Sequence, residues 1–329
     1  MTFPAHHPAA RRVYAFAALL ALIAPGCSKS PSAPNIPGPT RFLVFSSDRA
    51  RAAGSYRNYF ATLDGGGASQ FTLGGGATIV DRHPSITQDG RLLCYQSSPG
   101  RGGSKDVFVF NRSSNALIDD PNINSNFDEI EPQISLDGTR LVFVRDSLGI
   151  KYVRLYDLAT SRLIPLPNLA APGFSDWEPA LDALGRRVAF TTNRNGSSDV
   201  MIYRVTNQTL DPVSLLQSVA GDVEPAFSGD GRYVAFSSNR TGGSGDFDLY
   251  LFDLNTSLLV TLPGNANSSV ADRDPTISND GSIVVFVSNR PNGSGGMDLW
   301  NLNRIAGVLT QPNGEASAQD DLEPFLVWP

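Results

Sequence analysis

Asp222-Val223-Glu224-Pro225-Ala226-Phe227-Ser228-Gly229-Asp230-Gly231-Arg232-Tyr233-Val234-Ala235-Phe236-Ser237-Ser238-Asn239-Arg240 is followed by a glycine-rich link and then by Asp248-Leu249-Tyr250-Leu251-Phe252-Asp253. Alternation and β-branched residues mark short strands around Glu224 to Ser228, Tyr233 to Ser238, Asp248 to Phe252 and Leu258 to Leu262. Ser-x-Asp-Gly joins the first two, with the aspartate accepting local backbone hydrogen bonds and the glycine supplying the φ > 0 position of a tight turn.

This unit recurs along the chain. Near copies begin at Asp81, Glu129, Asp176 and Asp272. The motif prolines are Pro84, Pro132, Pro179, Pro225, Pro275 and Pro324, and subtraction gives spacings of 48, 47, 46, 50 and 49. Four short strands at such a period mark a β-propeller blade. At the start, Phe42-Leu43-Val44-Phe45-Ser46-Ser47-Asp48-Arg49 matches the second strand of the motif with no first strand ahead of it, and Tyr59 to Leu63 matches the third. At the end, Asp321-Leu322-Glu323-Pro324-Phe325-Leu326 matches the first strand alone. The reading is an all-β, six-bladed propeller over 41–329, with four-stranded antiparallel blades. The N- and C-terminal strands share one blade, which leaves no open sheet edge at the seam.

The repeated Asp-x-Glu-Pro-x-x-Ser-x-Asp-Gly-Arg-x-Val-x-Phe-x-Ser-Asn-Arg, followed by Asp-Leu-Tyr, resembles the WD-like propeller repeat of the TolB family, and it covers the chain from Arg41 onward. What the resemblance implies is a propeller used mainly as a protein-interaction platform in the bacterial envelope. The chain departs from that family's pattern ahead of the repeats, where a lipid signal is read in place of an α/β domain.

Arg11 and Arg12 precede an apolar run from Val13 to Ala24, too short for the roughly 20 residues that span a bilayer, so the segment reads as a secretory leader. It ends in Ala24-Pro25-Gly26-Cys27, similar to the bacterial lipobox, whose cysteine is diacylated and becomes the new N-terminus. Residues 1–26 are therefore expected to be a lipoprotein signal peptide and Cys27 the lipidation site. Residues 27–40, with Pro31, Pro34, Pro37 and Pro39, should form an extended tether. The expected location is the cell envelope, lipid-anchored at the outer membrane, facing the periplasm or the surface. Ser28, rather than Asp, follows the cysteine, which by resemblance to enterobacterial lipoprotein sorting implies the outer membrane.

Composition removes several function classes. Of three histidines, His6 and His7 fall in the leader, which leaves His83, and no Cys-x-x-Cys or His-x-x-x-His spacing exists to hold zinc. The formal net charge of -6 becomes -8 when Arg11 and Arg12 leave with the signal peptide, and no basic cluster remains to track a phosphate backbone, so nucleic acid is not an expected partner. No Gly-x-Ser-x-Gly elbow or Walker sequence occurs. The runs Gly65-Gly66-Gly67 and Gly74-Gly75-Gly76 read as links between strands.

The first strand of a blade lines the central channel, so its residues repeat around the axis. Three places before the prolines stand Asp81, Glu129, Asp176, Asp222, Asp272 and Asp321; directly before them stand His83, Glu131, Glu178, Glu224, Asp274 and Glu323. With a side-chain period of two, both positions share one face, which puts eleven carboxylates and one histidine near one channel mouth. One reading is a cation site, because calcium takes carboxylate oxygens. The other, favoured by repetition in every blade, is that each acid bonds a neighbouring blade's backbone or a motif arginine, any calcium being weak and structural and no other cofactor expected. Arg49, Arg194, Arg240 and Arg290 should pair with acids of their own or adjacent blades. His83 reads as drift in one blade, the column Phe45, Tyr95, Phe143, Phe190, Phe236 and Phe286 as core, and Cys94 as a small buried hydrophobe. The functional reading is a monomeric binding or scaffolding module with no catalytic residue, engaging an envelope protein that the sequence does not name. The alternative is a calcium-dependent hydrolase or lyase using carboxylates at the channel mouth.

Overall fold

Six four-stranded antiparallel sheets, one per repeat, build the protein. The computed structural model describes residues 41–49, 54–62, 66–71, 79–100, 103–118, 120–169, 173–211, 216, 218–312 and 317–327. The expected leader, Cys27, the tether, Leu63, Gly65 and Gly74 to Gly76 lie outside them.

Blade five follows the sequence reading, with Asp222–Phe227, Tyr233–Ser238, Asp248–Asp253 and Leu258–Val260 in order across the sheet. Its first turn closes as the motif requires. Gly231 N donates to Ser228 O at 2.8 Å, the Ser228 hydroxyl donates to Asp230 Oδ1 at 2.6 Å, and Tyr233 N donates back to Ser228 Oγ at 2.9 Å. Gly231 has φ 68°, a conformation that glycine adopts without strain.

The ends meet as expected: Asp321–Val327 pairs antiparallel with Phe42–Ser47, Val327 opposite Phe42 and Asp321 opposite Ser47. Arg57–Thr62 and Gly66–Phe71 complete that first blade. Gly66 and Gly67, read as part of a link, open its outermost strand, Gly66 lying opposite Thr62. The backbone ladder there overrides glycine's weak strand preference.

Each sheet is covered on both faces by its neighbours, so each second strand carries an unbroken apolar run, such as Ile283 to Val287, where a strand with one wet face would alternate; all six residues of Ile283–Ser288 are buried. Core clusters bridge blades: Ala189, Val200 and Ile202 of blade four pack with Phe227, Val234 and Phe236 of blade five. Every residue of the aromatic column is buried. Cys94 is buried too, 3.0 Å from Ser85 Oγ, and desolvation pushes its thiol up to about 12.

The inner strands are not regular. Register slips between Arg82 and Ser85, Ile130 and Gln133, Trp177 and Ala180, Val223 and Ala226, and Arg273 and Thr276. At each slip the residue before the proline is left-handed: φ is 50° at His83, 53° at Glu131, 51° at Glu178, 57° at Glu224 and 55° at Asp274, with 55° at Glu323 in the closing strand. Non-glycine residues there cost on the order of 1 kcal/mol each, so six in register require contacts that over-determine them.

Candidate functional site

These bulges separate the two acidic positions. The expectation that they share one channel face fails, because the second position is itself left-handed at each bulge, which breaks the period of two. Asp81, Glu129, Asp176, Asp222, Asp272 and Asp321 are buried and do not line the channel cavity. His83, Glu131, Glu178, Glu224, Asp274 and Glu323 all line it.

The buried ring is clamped by arginine. Arg240 reaches Asp222 at 2.7 Å, Arg290 reaches Asp272 at 2.5 Å, Arg49 reaches Asp321 at 2.8 Å, and Arg194 pairs with Asp176, as the motif arginines were expected to do. Two further clamps were not legible. Glu129 takes Arg145, at 2.7 Å, from two places after Phe143, and Asp81 takes Arg57, at 3.8 Å, from the preceding blade, where Pro99 stands at blade two's motif position. The guanidinium groups also cap the aromatic column, Arg240 lying 5.2 Å from the Phe236 ring and 4.7 Å from the Tyr250 ring. Several tie down the crossover from the preceding blade: Arg290 donates to Asn265 O at 3.1 Å and Ala266 O at 2.7 Å, and Arg145 donates to Ile123 O at 3.0 Å. Desolvation still pushes the carboxyls of Asp176 and Asp321 up. This ring is structural.

The channel ring is linked head to tail. Each acid accepts the backbone N–H of the ring residue one blade on: Glu178 N donates to Glu131 Oε2 at 2.7 Å, Glu224 N to Glu178 Oε2 at 3.0 Å, Asp274 N to Glu224 Oε2 at 2.9 Å, Glu323 N to Asp274 Oδ2 at 2.9 Å, and His83 N to Glu323 Oε2 at 2.7 Å. An imidazole cannot continue this relay as a carboxylate does, and at that step Gln96 Oε1 accepts Glu131 N at 3.2 Å. Gln96 occupies the position directly after the aromatic column, where Ser46 and Thr191 donate hydroxyls to Glu323 and Glu178, both at 2.7 Å. The blade carrying histidine in the acid column is also the one carrying glutamine in this supporting column. That coincidence was the available signal against reading His83 as drift.

The cavity measures about 410 Å³, with Arg82, Arg273, Met297 and Leu322 in its wall. A second, small cavity of about 20 Å³ shares Gln133, Ala226, Thr276 and Phe325 with it. Basic groups reach part of the ring: Arg82 pairs with Glu323, His83 Nε2 lies 3.1 Å from Glu323 Oε1, Arg273 reaches Glu224 at 2.7 Å, and Lys151 reaches Glu131 at 3.6 Å. Among the described residues, Glu178 and Asp274 form no ion pair. Burial, then the charges of Glu224 and Glu131, push Glu178 up to about 7. Burial, with Glu224, Glu323 and Glu178, holds Asp274 well above the carboxylate range. Burial acts upward on Glu323 as well, but His83 and Arg82 outweigh it and hold that carboxyl below its usual value. No group of three or more His, Cys, Asp or Glu among the described residues is arranged to hold a metal ion. What the cavity offers chemically is a fixed acidic rim with two carboxyls that have no cation among the described residues.

No protein-family model matches the chain, and no curated protein matches it in sequence. Solved structures do match in shape. TolB from Acinetobacter baumannii aligns with a TM-score of 0.68 at 19% identity, covering 89% of this chain and 68% of that one. A putative TolB from Agrobacterium tumefaciens aligns with a TM-score of 0.56 at 14% identity, covering 88% and 98%. An oligogalacturonate lyase in complex with manganese aligns with a TM-score of 0.54 at 17% identity, covering 83% and 73%. At these identities the likeness establishes the fold alone: the protein is a six-bladed β-propeller, the shape that the TolB structures also have.

Proposed function

We propose that the chain is a binding scaffold of the bacterial envelope, anchored through an acylated Cys27, whose propeller presents its acidic channel mouth to a partner protein. The observation that carries this reading is the head-to-tail relay. Five carboxylates each commit an oxygen to the next blade's amide, so they form a fixed rim and do not converge on an ion. Such a rim, set between low-dielectric walls, focuses negative potential on the cavity and suits a lysine, arginine or amino group brought by the partner. The shape shared with TolB structures fits a protein-interaction platform and an envelope location. A calcium-dependent hydrolase or lyase at the same mouth has one observation in its favour, the Glu178 carboxyl near 7 inside a cavity.

Fractionation and affinity purification from envelope extract test the proposal. Cys27→Ala should release the chain from membranes or leave the precursor uncleaved, because the acyl chains supply the anchor. An envelope protein that co-purifies with the native chain should be lost with Glu178→Gln plus Glu224→Gln. Unchanged membrane partitioning removes the anchor from the proposal, and unchanged co-purification removes the channel mouth.

A further inference from the structure

Blade three differs from the others on the side of the channel mouth. Its second and third strands, Arg140–Ser147 and Ile150–Asp157, are eight residues each and meet in the two-residue turn Leu148-Gly149, with φ 57° and 88°. The same connection in blade five runs from Asn239 to Phe247. Gly149 N donates to Asp146 Oδ1 at 2.8 Å and Ile150 pairs with Ser147, so the hairpin is rigid to its tip. Turn chemistry at two consecutive left-handed positions favours Asn-Gly. Leucine stands there instead, 94% exposed, and serves the fold poorly.

The tip is part of an apolar edge. Ile150, Phe127 and Phe174 are exposed large hydrophobics beside it. Phe127 immediately precedes Asp128, which pairs with Asp146, and Phe174 precedes Ser175, whose Oγ accepts Lys151 N at 3.2 Å. Lys151 in turn reaches Glu131 of the channel ring, and Glu178 lies four residues beyond Phe174. Exposed apolar side chains, two of them on a closed hairpin, thus border the arc of the mouth where Glu178 has no cation among the described residues.

We infer that this edge docks a peptide segment of a partner protein in which an apolar side chain lies close to a lysine or arginine. The apolar side chain packs on Leu148 and Ile150, and the basic group enters the cavity toward Glu178. The inference rests on the binding-scaffold reading and adds to it a location and a peptide chemistry. Charge selects this occupant. Anionic lipid headgroups would meet the ring carboxylates, and a second copy docking by the same face would oppose one acidic mouth to another.

A random peptide library displayed on phage, panned on the immobilised full chain, tests the inference, with selected peptides synthesised and measured by fluorescence anisotropy. Enriched sequences should place Lys or Arg within about four residues of a large apolar side chain. Their affinity should fall about tenfold with Leu148→Asn plus Ile150→Thr, as for removal of a binding anchor, and also with Glu178→Gln. Asn suits the turn and Thr suits the strand, so the edge variant should keep its melting temperature. Leu258→Ser, on an outer strand, should leave affinity unchanged. Peptides without a basic residue, or equal binding by the edge variant, overturn the inference; if Glu178→Gln still abolishes binding, the scaffold reading survives with another edge. No enrichment overturns both. Binding to vesicles of phosphatidylethanolamine and phosphatidylglycerol, or a dimer dissociated by Leu148→Asn, would assign the edge to a membrane or a second copy.

Discussion

Asp222 and Glu224 sit two residues apart in one strand, yet the first is wholly buried against Arg240 while the second faces a cavity and holds its neighbour's amide. The same division runs around the ring. A buried charge with one strong partner is costly to orphan, because the desolvation penalty remains when the partner leaves. A half-buried carboxylate accepting an amide hydrogen bond can be replaced by a neutral acceptor of the same shape at small cost. The buried acids therefore hold the blades, and the channel acids are available for recognition.

Removing one member of each ring together is the severest way to break this arrangement. Deleting 321–329 takes Asp321, Glu323 and the strand paired with Phe42–Ser47. Calorimetry should show a melting temperature lower by about 10 °C or more, or a loss of cooperativity, since several kcal/mol of packing go at once. Native-like melting of the truncated chain would mean that the seam does not depend on the shared blade.

Single substitutions sharpen the contrast. Arg240→Met should cost about 3–5 kcal/mol in urea denaturation, and adding Asp222→Asn should recover part of that loss, because the orphaned charge is then removed. Glu224→Gln should cost only about 1 kcal/mol, its amide oxygen still accepting Asp274 N. Equal costs for the two single variants would erase the distinction between the rings.

The repeat period, blade count, shared blade and aromatic column were legible because each is written once per blade, and blade packing demands the same residue type each time. The clamping of Asp222 by Arg240 was legible for the same reason. What was not legible came from the backbone. The left-handed residues before the prolines break the strand period, so two positions assigned to one face separate. Arg145 and Arg57 escaped because each reaches its acid from outside the repeated register. His83 looked like drift because the pattern was read along columns; its compensation, Gln96, lies in another column of the same blade.

Titration separates Glu178 from the acids that have a cation. Its folded carboxyl lies at about 7, against roughly 4.3 in an unfolded chain. Between those values the folded state keeps a proton that the unfolded state has lost, so stability falls as pH rises and levels off above the folded value. Glu178→Gln removes the dependence. The variant should gain on the order of 2 kcal/mol relative to the native chain between pH 5 and pH 8, read from urea midpoints. Glu323, held low by His83 and Arg82, contributes with the opposite sign, its stabilisation being lost as pH falls through the acid range. A flat difference between native chain and variant would show that Glu178 is ionised throughout.

The one interrupted step of the relay gives a smaller effect. Gln96→Ala leaves Glu131 N without its acceptor, for about 1–2 kcal/mol. Adding His83→Glu restores an acid at the position from which every other link is made, and should recover most of that loss. A double variant weaker than the sum of the singles would mean that His83 and Gln96 do not form a compensating pair.

The smallest expected effect concerns calcium. An ion that binds only the folded state stabilises it in proportion to the logarithm of its concentration over its dissociation constant, so a site matched to calcium would raise the melting temperature visibly at millimolar concentrations. Calcium needs six to eight oxygens about 2.3–2.6 Å away. In the channel ring the carboxylates are turned along the circumference to accept amides, and Arg82 and Arg273 occupy the wall between them. Recruiting those oxygens for an ion would break relay bonds, and the two guanidinium charges would oppose it. Melts in chelator and in millimolar calcium should therefore nearly coincide. A large calcium-dependent rise, abolished by Glu178→Gln with Glu224→Gln, would mean that the relay opens to bind an ion, and it would favour a calcium-dependent enzyme over a scaffold.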